Sequence, residues 1–318
     1  MRALITGATG FVGTHLRRYL LAQTDWSLIG TAFPELSPTP DDESRDRLMA
    51  LDLTDAEATK AAMDAVRPDL VIHLAAQSHV PTAYRDPWST LRNNILGQLN
   101  LLEAFVATDQ RPRILVIGSG DEYGRVSAQA LPLTEGHPLQ PENPYSVSKV
   151  AQDVMGYQYY VSYGLPIVRV RPFNHVGPGQ SDRFVLPAFA SQIARIEAWK
   201  HPPVINVGNL TPARDFTDVR DVVEAYRLAL LHGTPGEVYN VASGQAVTIQ
   251  SLLDHLIARS ALQIEVRVDE AKYRPADIPI ICGSSTKLQQ DTGWIPRIPL
   301  TQTIEDVLNE WRARVSLE

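Results

Sequence analysis

The chain has 318 residues, of which 44% are hydrophobic and 20% are charged. This length corresponds to one large or two modest domains, and the composition excludes a disordered protein, a collagen-like chain and a small disulfide-stapled fold. The 29 basic residues against 36 acidic ones give a formal net charge of -7. An acidic balance argues against binding to nucleic acid or to an anionic membrane surface. A phosphate-bearing ligand would have to be held by local groups.

The cysteine content favours a reducing compartment. Cys282 is the only cysteine, which excludes internal disulfides and multi-cysteine metal sites, so we expect a cytoplasmic protein. The eight histidines are scattered, with no spacing typical of metal ligands. No apolar run reaches the roughly 18 residues of a transmembrane helix, and the chain opens on a strand pattern rather than on a signal peptide.

Short apolar runs rich in β-branched residues alternate with helical patterns through the first half of the chain. Between the first two runs, Val12, Leu16 and Leu20 recur at helical spacing. Strict alternation implies right-handed crossovers, so the predicted fold class is α/β, with a doubly wound parallel sheet of the Rossmann type. The predicted strands are 3–6, 27–32, 70–75, 114–118 and 166–170.

After about residue 172 the alternation weakens, and Pro and Gly cluster at 171–179 and 201–212. This change predicts a first domain at 1–172 and a smaller C-terminal α/β domain at 173–318. We expect the segment 214–243, with a helix at 218–231 and a strand at 238–241, to return to the first domain. The second domain would be completed by a helix from Thr248 and a terminal helix at about 301–315.

A glycine turn lies between the first strand and the first helix. Glycines there let a pyrophosphate approach the backbone, and the helix N-terminus offers free N–H groups and the positive end of the helix dipole. A turn without a ligand is the alternative, which the strand-turn-helix setting disfavours. The residues expected to hold a dinucleotide are Gly7, Thr9, Gly10, Phe11, Val12 and Gly13.

A second motif begins the helix after Asn143 and Pro144, which suit a helix cap and a first turn. Tyr145 and Lys149 are four residues apart and share one helix face. An adjacent ammonium favours the ionised form of tyrosine, so Lys149 would lower the pKa of Tyr145 and make it a usable acid or base. By itself, such a pair is more often an ordinary feature of an amphipathic helix.

Together, the spacing G-x-x-G-x-x-G and the Y-x-x-x-K pair resemble the extended short-chain dehydrogenase/reductase family of NAD-dependent epimerases and dehydratases. The resemblance implies an oxidoreductase in which Tyr145 exchanges a proton, Lys149 supports it and holds the ribose, and Ser119 orients the reacting oxygen. Asp52 and Ser119 could instead be turn caps. The resemblance also implies cofactor contacts from Asp52, Leu53, Leu74, Ala75, Ala76, Asn94, Tyr145, Lys149 and Pro172.

The end of the second strand bears on the choice of cofactor. NAD-binding folds usually place an acid there for the ribose 2′-hydroxyl, whereas NADP needs an uncharged or basic residue. This strand ends at Ala32 and Phe33, and the next acid is Glu35. The sequence therefore favours NADPH, with NADH possible because no arginine occupies the expected position.

The residues after Ser119 bear on the reaction. Dehydratases of the family carry an acid/base pair directly after the catalytic Ser or Thr, whereas this chain has Gly120 and the short Asp121. A missing carboxylate weakens the dehydratase interpretation. Simple hydride transfer remains.

The run from Arg171 to Gln180 resembles the GDP-mannose branch of the family, and it implies a GDP-sugar substrate. The implied activity is reduction of the carbon-4 ketone of GDP-4-dehydro-6-deoxy-D-mannose to GDP-D-rhamnose. Guanidinium groups suit a diphosphate, although either arginine assigned to it could be a surface ion pair. The implied substrate contacts are Gln77, Ser119, Gly120, Asp121, Asn174, His175, Val185, Arg214 and Arg274, with Arg183 a weaker candidate.

Three other interpretations remain in view. A GDP-mannose 4,6-dehydratase, or another nucleotide-sugar epimerase or dehydratase, would turn over its sugar without added NADPH. A dinucleotide-binding redox sensor typically lacks the Tyr/Lys pair, which this chain retains, and a nucleic-acid binder has no basic patch to support it. The family resemblance further suggests a homodimer through the helices at 91–106 and 145–163.

Overall fold

The computed structural model describes residues 1–33, 45–273 and 278–318, so Glu35 and Arg274 lie outside the described residues. Strands and helices alternate along the first half of the chain. The strands are β1 (Arg2–Thr6), β2 (Ser27–Ala32), β3 (Asp46–Ala50), β4 (Leu70–His73), β5 (Arg113–Ile117), β6 (Ile167–Pro172), β7 (Asn174–Val176), β8 (Val204–Val207), β9 (Ala213–Asp218), β10 (Val238–Val241), β11 (Ala246–Thr248), β12 (Glu265–Val268) and β13 (Ile280–Ile281). The α-helices are α1 (Phe11–Gln23), α2 (Ala56–Val66), α3 (Val80–Arg85), α4 (Pro87–Leu91), α5 (Gly97–Ala107), α6 (Pro144–Tyr163), α7 (Val185–Glu197), α8 (Val219–His232), α9 (Ile249–Ile257), α10 (Thr286–Thr292) and α11 (Leu300–Leu317).

Seven parallel strands form the central sheet, in the order β10-β6-β5-β4-β1-β2-β3. Strand β1 has β2 on one side and β4 on the other, so the direction of winding reverses there. In such sheets the ligand crevice opens at the carboxyl ends of the strands beside this reversal. The predicted doubly wound α/β sheet is confirmed.

Apolar residues on both faces of the sheet explain why helices cover it twice. Along β1, Ala3 and Ile5 belong to one core with residues of α1 and α8, whereas Leu4 belongs to another with residues of α2 and α5. Successive side chains of a strand point to opposite faces. A strand without polar alternation therefore needs helices on both sides.

The C-terminal part has its own core, built from α7, α9 and α11 against two small sheets. One sheet has the order β11-β9-β13 with β7 beside β9, and the other pairs β12 with β8. Strand β10 pairs with β6 in the central sheet, while α8 packs in the first core. The division into 1–172 and 173–318 stays a prediction.

Three local features differ from the sequence expectation. Strand β3 was not predicted, because its residues Asp46 and Arg47 interrupt the apolar pattern; it is an edge strand, and Asp46 pairs with Arg17 of α1. Strand β4 ends at His73 rather than at residue 75, since the Ala75 N–H turns to the Thr6 hydroxyl at 3.1 Å. Before α5, the chain forms a π-helical turn at Arg92–Leu96.

Among the described residues, no helix is both long and apolar enough to cross a bilayer.

Trp294 joins the segment after α10 to the first core. It is fully buried, and its indole N–H donates to the Asp221 carbonyl at 2.9 Å. We expect Trp294→Ala to lower the free energy of unfolding by about 3–5 kcal/mol, because it leaves a cavity in the core and removes the indole hydrogen bond. Urea and thermal unfolding would measure the loss. Trp199→Ala is the control: Trp199 is 81% exposed and should change stability by about 0.5 kcal/mol or less. Equal effects of the two changes would contradict the assignment.

Candidate active site

A cavity of about 640 Å³ opens beside the reversal of the sheet. Its walls come from the ends of β1, β2, β4, β5 and β6 and from segments of the C-terminal part. Most of the residues proposed from the sequence line it. These are Gly7, Thr9, Gly10, Phe11, Val12, Gly13, Asp52, Leu53, Leu74, Ala75, Ala76, Gln77, Ser119, Gly120, Asp121, Tyr145, Lys149, Pro172, Asn174, His175, Arg183 and Arg214.

The glycine turn at one end of the cavity has no space for side chains. Gly7 has a φ of +70°, and a Cβ there would lie 2.9 Å from the backbone of Ala75. A Cβ on Gly13 would overlap the Gly7 carbonyl. Helix α1 starts here with no side-chain cap and no acidic residue in its first turn. Its first N–H groups and positive dipole end are therefore available to an anion.

Asn94 is not among the residues that line the cavity, and its assignment as a cofactor contact stays a prediction. It is fully buried in the π-helical turn. Its Oδ1 accepts from the Gln77 N–H at 2.8 Å, and its Nδ2 donates to the Gln77 carbonyl at 3.0 Å and to the Ser148 hydroxyl at 2.8 Å. Asn94 thus fixes the turn that bears Gln77 and ties it to α6.

Asp52 caps a turn and also lines the cavity, so its cofactor role stays a prediction. Its Oδ1 accepts from the N–H and the hydroxyl of Thr54, each at 2.8 Å, so the carboxylate caps a turn. The residue also lines the cavity, next to Thr31, Ala32 and Phe33 at the end of β2. No acidic side chain from β2 enters this corner of the described structure.

The catalytic candidates meet at the centre of the cavity. Ser119 follows β5, where its Oγ accepts from the Asp121 N–H at 3.1 Å. Tyr145 and Lys149 lie on α6, whose start is fixed by a capping box between Asn143 and Ser146. Ser119 and Tyr145 both line the cavity, and the Ser119 side chain favours the ionised form of Tyr145. The Lys149 Nζ donates to the Ile117 carbonyl at 2.9 Å and lies 5.9 Å from the centre of the Tyr145 ring.

Burial, rather than the neighbouring ammonium, controls the acidity of Tyr145. Burial and the Asp121 carboxylate raise the pKa of Tyr145 above its usual value of 10, although the Ser119 side chain opposes the shift. The lowering of this pKa expected from Lys149 stays a prediction. Burial also lowers the pKa of Lys149 to about 8, while Glu122 acts in the opposite direction. Tyr145 is therefore held protonated, in the form that donates a proton.

The residues after Ser119 have different surroundings. A Cβ on Gly120 would lie 3.0–3.2 Å from atoms of the Phe173 ring. That ring is buried, and a Cβ on Gly283 would overlap it. Of the two carboxylates that follow, Asp121 lines the cavity and Glu122 does not. Position 120 therefore has no room for a carboxylate unless Phe173 moves.

The C-terminal part provides the other wall. Asn174 and His175 follow β6, and the His175 ring stacks on Phe11 at 6.3 Å. The Arg214 Nη1 donates to the carbonyls of Ala213 at 2.9 Å and Ile278 at 2.7 Å. Of the nearby carboxylates, Asp215 accepts from the Ser243 N–H at 2.8 Å, and Asp218 pairs with Arg220.

Val185 begins α7 and is not among the residues that line the cavity, so its assignment as a substrate contact stays a prediction. Its neighbour Phe184 lines the cavity and packs edge-on against His79 at 5.7 Å. Sequence reasoning missed His79 and Tyr226 as lining residues. His79 follows the Gln77 turn closely enough to have been considered, but Tyr226 reaches the cavity only through tertiary packing.

Comparison with known proteins agrees with this geometry. The family model described as GDP-mannose 4,6 dehydratase matches residues 4–307. The chain belongs to this family of extended short-chain dehydrogenases/reductases. The predicted family is thus confirmed, and it is a family of enzymes.

Members of this family include relatives with two different activities. The chain is 40% identical to GDP-6-deoxy-D-mannose reductase of Pseudomonas aeruginosa, over all of this chain and 99% of that protein. It is 28% identical to GDP-mannose 4,6 dehydratase 2 of Arabidopsis thaliana, over 97% and 86% of the two chains. The structure of RMD from Pseudomonas aeruginosa complexed with NADPH superposes with a TM-score of 0.87 at 39% identity, covering 98% of this chain and 99% of that one.

The lowered pKa of Lys149 gives a prediction for the pH dependence of this family member. A lysine is charged below its pKa, so the ammonium is present below about pH 8 and is lost as the pH rises through that value. We expect kcat/KM for ketone reduction to fall on this alkaline limb. In Lys149→Arg, residual activity should show no such limb, because arginine stays charged. Rates measured from pH 6 to 10 would test this, and a wild-type profile flat to pH 10 would contradict it.

Proposed function

We propose that this protein uses NADPH to reduce the carbon-4 ketone of GDP-4-dehydro-6-deoxy-D-mannose, forming GDP-D-rhamnose. The observation that carries the proposal is that Ser119, Tyr145 and Lys149 line one cavity, beside a position 120 that has no room for a carboxylate unless Phe173 moves. The similarity to GDP-6-deoxy-D-mannose reductase supports the sugar nucleotide.

The residues present fit a dinucleotide. The glycine turn brings backbone within reach of a diphosphate, and the uncapped start of α1 adds N–H donors. NADPH is the preferred cofactor for two reasons. No acidic side chain of β2 would face the 2′-phosphate, and the similar structure of RMD from Pseudomonas aeruginosa is a complex with NADPH. NADH remains a possible substitute, as a structure of UDP-glucose 4-epimerase of Thermus thermophilus, 29% identical, holds NAD. When bound, the nicotinamide supplies the hydride.

The protein's part in the reaction is geometry and proton transfer. The Ser119 hydroxyl and the Tyr145 hydroxyl would both donate to the ketone oxygen, which polarises the carbonyl. As negative charge develops on that oxygen, Tyr145 transfers its proton to it. Lys149, as an ammonium, would stabilise the tyrosinate left behind and hold the ribose. Donors aimed at the oxygen before reaction need no reorganisation during it.

The GDP moiety would be held by the C-terminal wall. We assign Asn174 and His175 to the sugar side, and Arg214 to the diphosphate, with Arg183 also facing the cavity. Arg274 is proposed for the diphosphate from the sequence alone. In a protein of net charge -7, local guanidinium groups are the natural means of holding an anion.

The second candidate is a GDP-mannose 4,6-dehydratase, because most of the family's named members with lower identity carry that name. Dehydration needs one group to remove a proton beside the ketone and another to protonate the leaving hydroxyl. In the described part of the site, Asp121 is the carboxylate that the turn after Ser119 offers to the cavity. Reduction is therefore favoured.

Incubation with GDP-4-dehydro-6-deoxy-D-mannose should consume NADPH and give the carbon-4 product of D-rhamno configuration. Tyr145→Phe should lower kcat by about 100- to 10,000-fold, because it removes the proton donor, with little change in NADPH affinity. Absorbance of NADPH, product NMR and nucleotide binding would be measured. Turnover of GDP-mannose without added NADPH would support dehydration instead.

The Michaelis constants for NADPH and NADH would test the cofactor assignment. A preference of about a hundredfold for NADH, a difference near 2.7 kcal/mol, would contradict it.

The homodimer expected from the sequence also remains a proposal. On α6, Val147, Val154 and Val161 are 43%, 51% and 62% exposed and recur every seven residues along one helix face. Tyr157 is half exposed on the same helix. An unpartnered apolar stripe of this kind suits a second copy of the same helix across a twofold axis.

We further propose a cytoplasmic location, because the one cysteine, Cys282, is a buried free thiol.

Val154→Asp should convert a dimer into a monomer, because it places a charge in the centre of the helix stripe. Light scattering after size exclusion would measure the mass. Val268→Asp is the matched control, since Val268 is also 51% exposed but lies on β12. A wild-type monomer, or dissociation by the control alone, would contradict this interface.

A further inference from the structure

A buried group of charged side chains lies next to the catalytic residues without lining the cavity. Glu122, Asp153 and Arg171 have side chains that are 0%, 1% and 6% exposed. Arg169 pairs with the other oxygen of Asp153. The mechanism proposed above gives none of these groups a role. Burying charge is costly unless it is well paired, so these four buried charged residues must contribute to the structure or to the function of the site.

Glu122 is connected directly to the backbone of Ser119. Its Oε1 accepts a hydrogen bond from the Ser119 N–H at 2.7 Å, while the Ser119 hydroxyl accepts from the Asp121 N–H. These two bonds form a capping box around the short 3₁₀ turn at Gly120–Tyr123. A Cβ on Gly118 would overlap Glu122. The Glu122 carboxyl therefore sits where it can set the position of Ser119.

Arg171 extends this connection to the catalytic helix. Its Nε lies 3.1 Å from the Glu122 Oε2 and donates to the Asp153 Oδ2 at 2.6 Å. Asp153 belongs to α6, one helical turn after Lys149 and two turns after Tyr145. Arg171 thus joins the turn that carries Ser119 to the helix that carries the other two catalytic residues.

We infer that Glu122 is a positioning residue that acts through Ser119, with Arg171 and Asp153 fixing its carboxyl relative to α6. This inference rests on the proposed reduction, in which Ser119 and Tyr145 must reach the same ketone oxygen. Two donors on different elements share that oxygen only if the distance between the elements is fixed. A misplacement of about 1 Å at a reacting centre can cost about 100-fold in rate.

The essential property of Glu122 is the acceptor at Oε1 and not its charge. Burial and the Asp153 carboxylate raise the pKa of Glu122 well above its usual value, against the influence of Arg171. A proton on Oε2 would be donated to Asp153, and Oε1 would still accept from Ser119. Glutamine reproduces this arrangement, with a carbonyl oxygen and an N–H donor, whereas methionine fills similar space without the acceptor.

The experiment compares Glu122→Gln and Glu122→Met, each in the wild-type and the Ser119→Ala backgrounds. Glu122→Gln should keep kcat within about threefold of wild type, whereas Glu122→Met should lower it about 10- to 100-fold, with KM for NADPH within about twofold. In Ser119→Ala, Glu122→Met should cost less than about threefold more, since its effect passes through Ser119. A merely structural residue would show no such dependence on Ser119. The control Glu197→Met breaks the pair with Arg312 in the C-terminal part and should leave kcat unchanged.

Two results would overturn the inference: a normal kcat in Glu122→Met, or losses that multiply with Ser119→Ala. If Glu122→Met does not fold, Glu122→Met/Arg171→Met removes both charges while Asp153 keeps Arg169, and the same comparison applies. Wild-type turnover is measured first. A wild type that does not reduce the ketosugar refutes the proposed function, whereas an active wild type with an unaffected Glu122→Met refutes only the positioning role.

Discussion

The close contact between the glycine turn and the end of β4 is the constraint on which the site depends. Gly7 adopts a left-handed φ of +70°, and its α-carbon faces the backbone of Ala75 without room for a side chain. The same contact lets α1 start directly at the reversal of the sheet, with Gly13 against the Gly7 carbonyl. Thr6 supports it from β1, since its hydroxyl accepts from the Ala75 N–H. A diphosphate site and a ribose site are thereby brought to one edge.

Burial also shifts the pKa values of the titratable groups at this edge of the sheet. Tyr145 and Lys149 share a helix face, and burial shifts the pKa of each toward its neutral form. For tyrosine this means a retained proton, which suits a group that donates a proton during ketone reduction. For lysine it means that the ammonium is present only below about pH 8. The cation that would stabilise the tyrosinate is therefore the group more sensitive to alkaline pH.

Periodicity and spacing were enough to predict the doubly wound sheet, because the runs at 3–5, 70–72 and 114–117 are apolar on both faces and alternate with helices that have an apolar stripe. They were not enough for β3, an edge strand that includes Asp46 and Arg47. Motif positions likewise predicted Tyr145 and Lys149 as site residues, and both line the cavity. They did not predict that Phe173 packs between Gly120 and Gly283, because this contact joins distant segments. Nor did the Asn94 motif predict its hydrogen bonds with Gln77 and Ser148. Sequence patterns identify local geometry well, and they miss contacts made between distant segments.

Phe173 bears on why one fold serves both reduction and dehydration. The ring packs against Gly120 on the side of the catalytic turn and against Gly283 on the C-terminal side, with Tyr123 stacked on it at 6.1 Å. A side chain at position 120 would require this ring to shift by a few tenths of an ångström. Interiors are close-packed, and overpacking costs about 1–3 kcal/mol. The contact between Gly120 and Phe173 therefore opposes a carboxylate at this position, which agrees with reduction rather than dehydration.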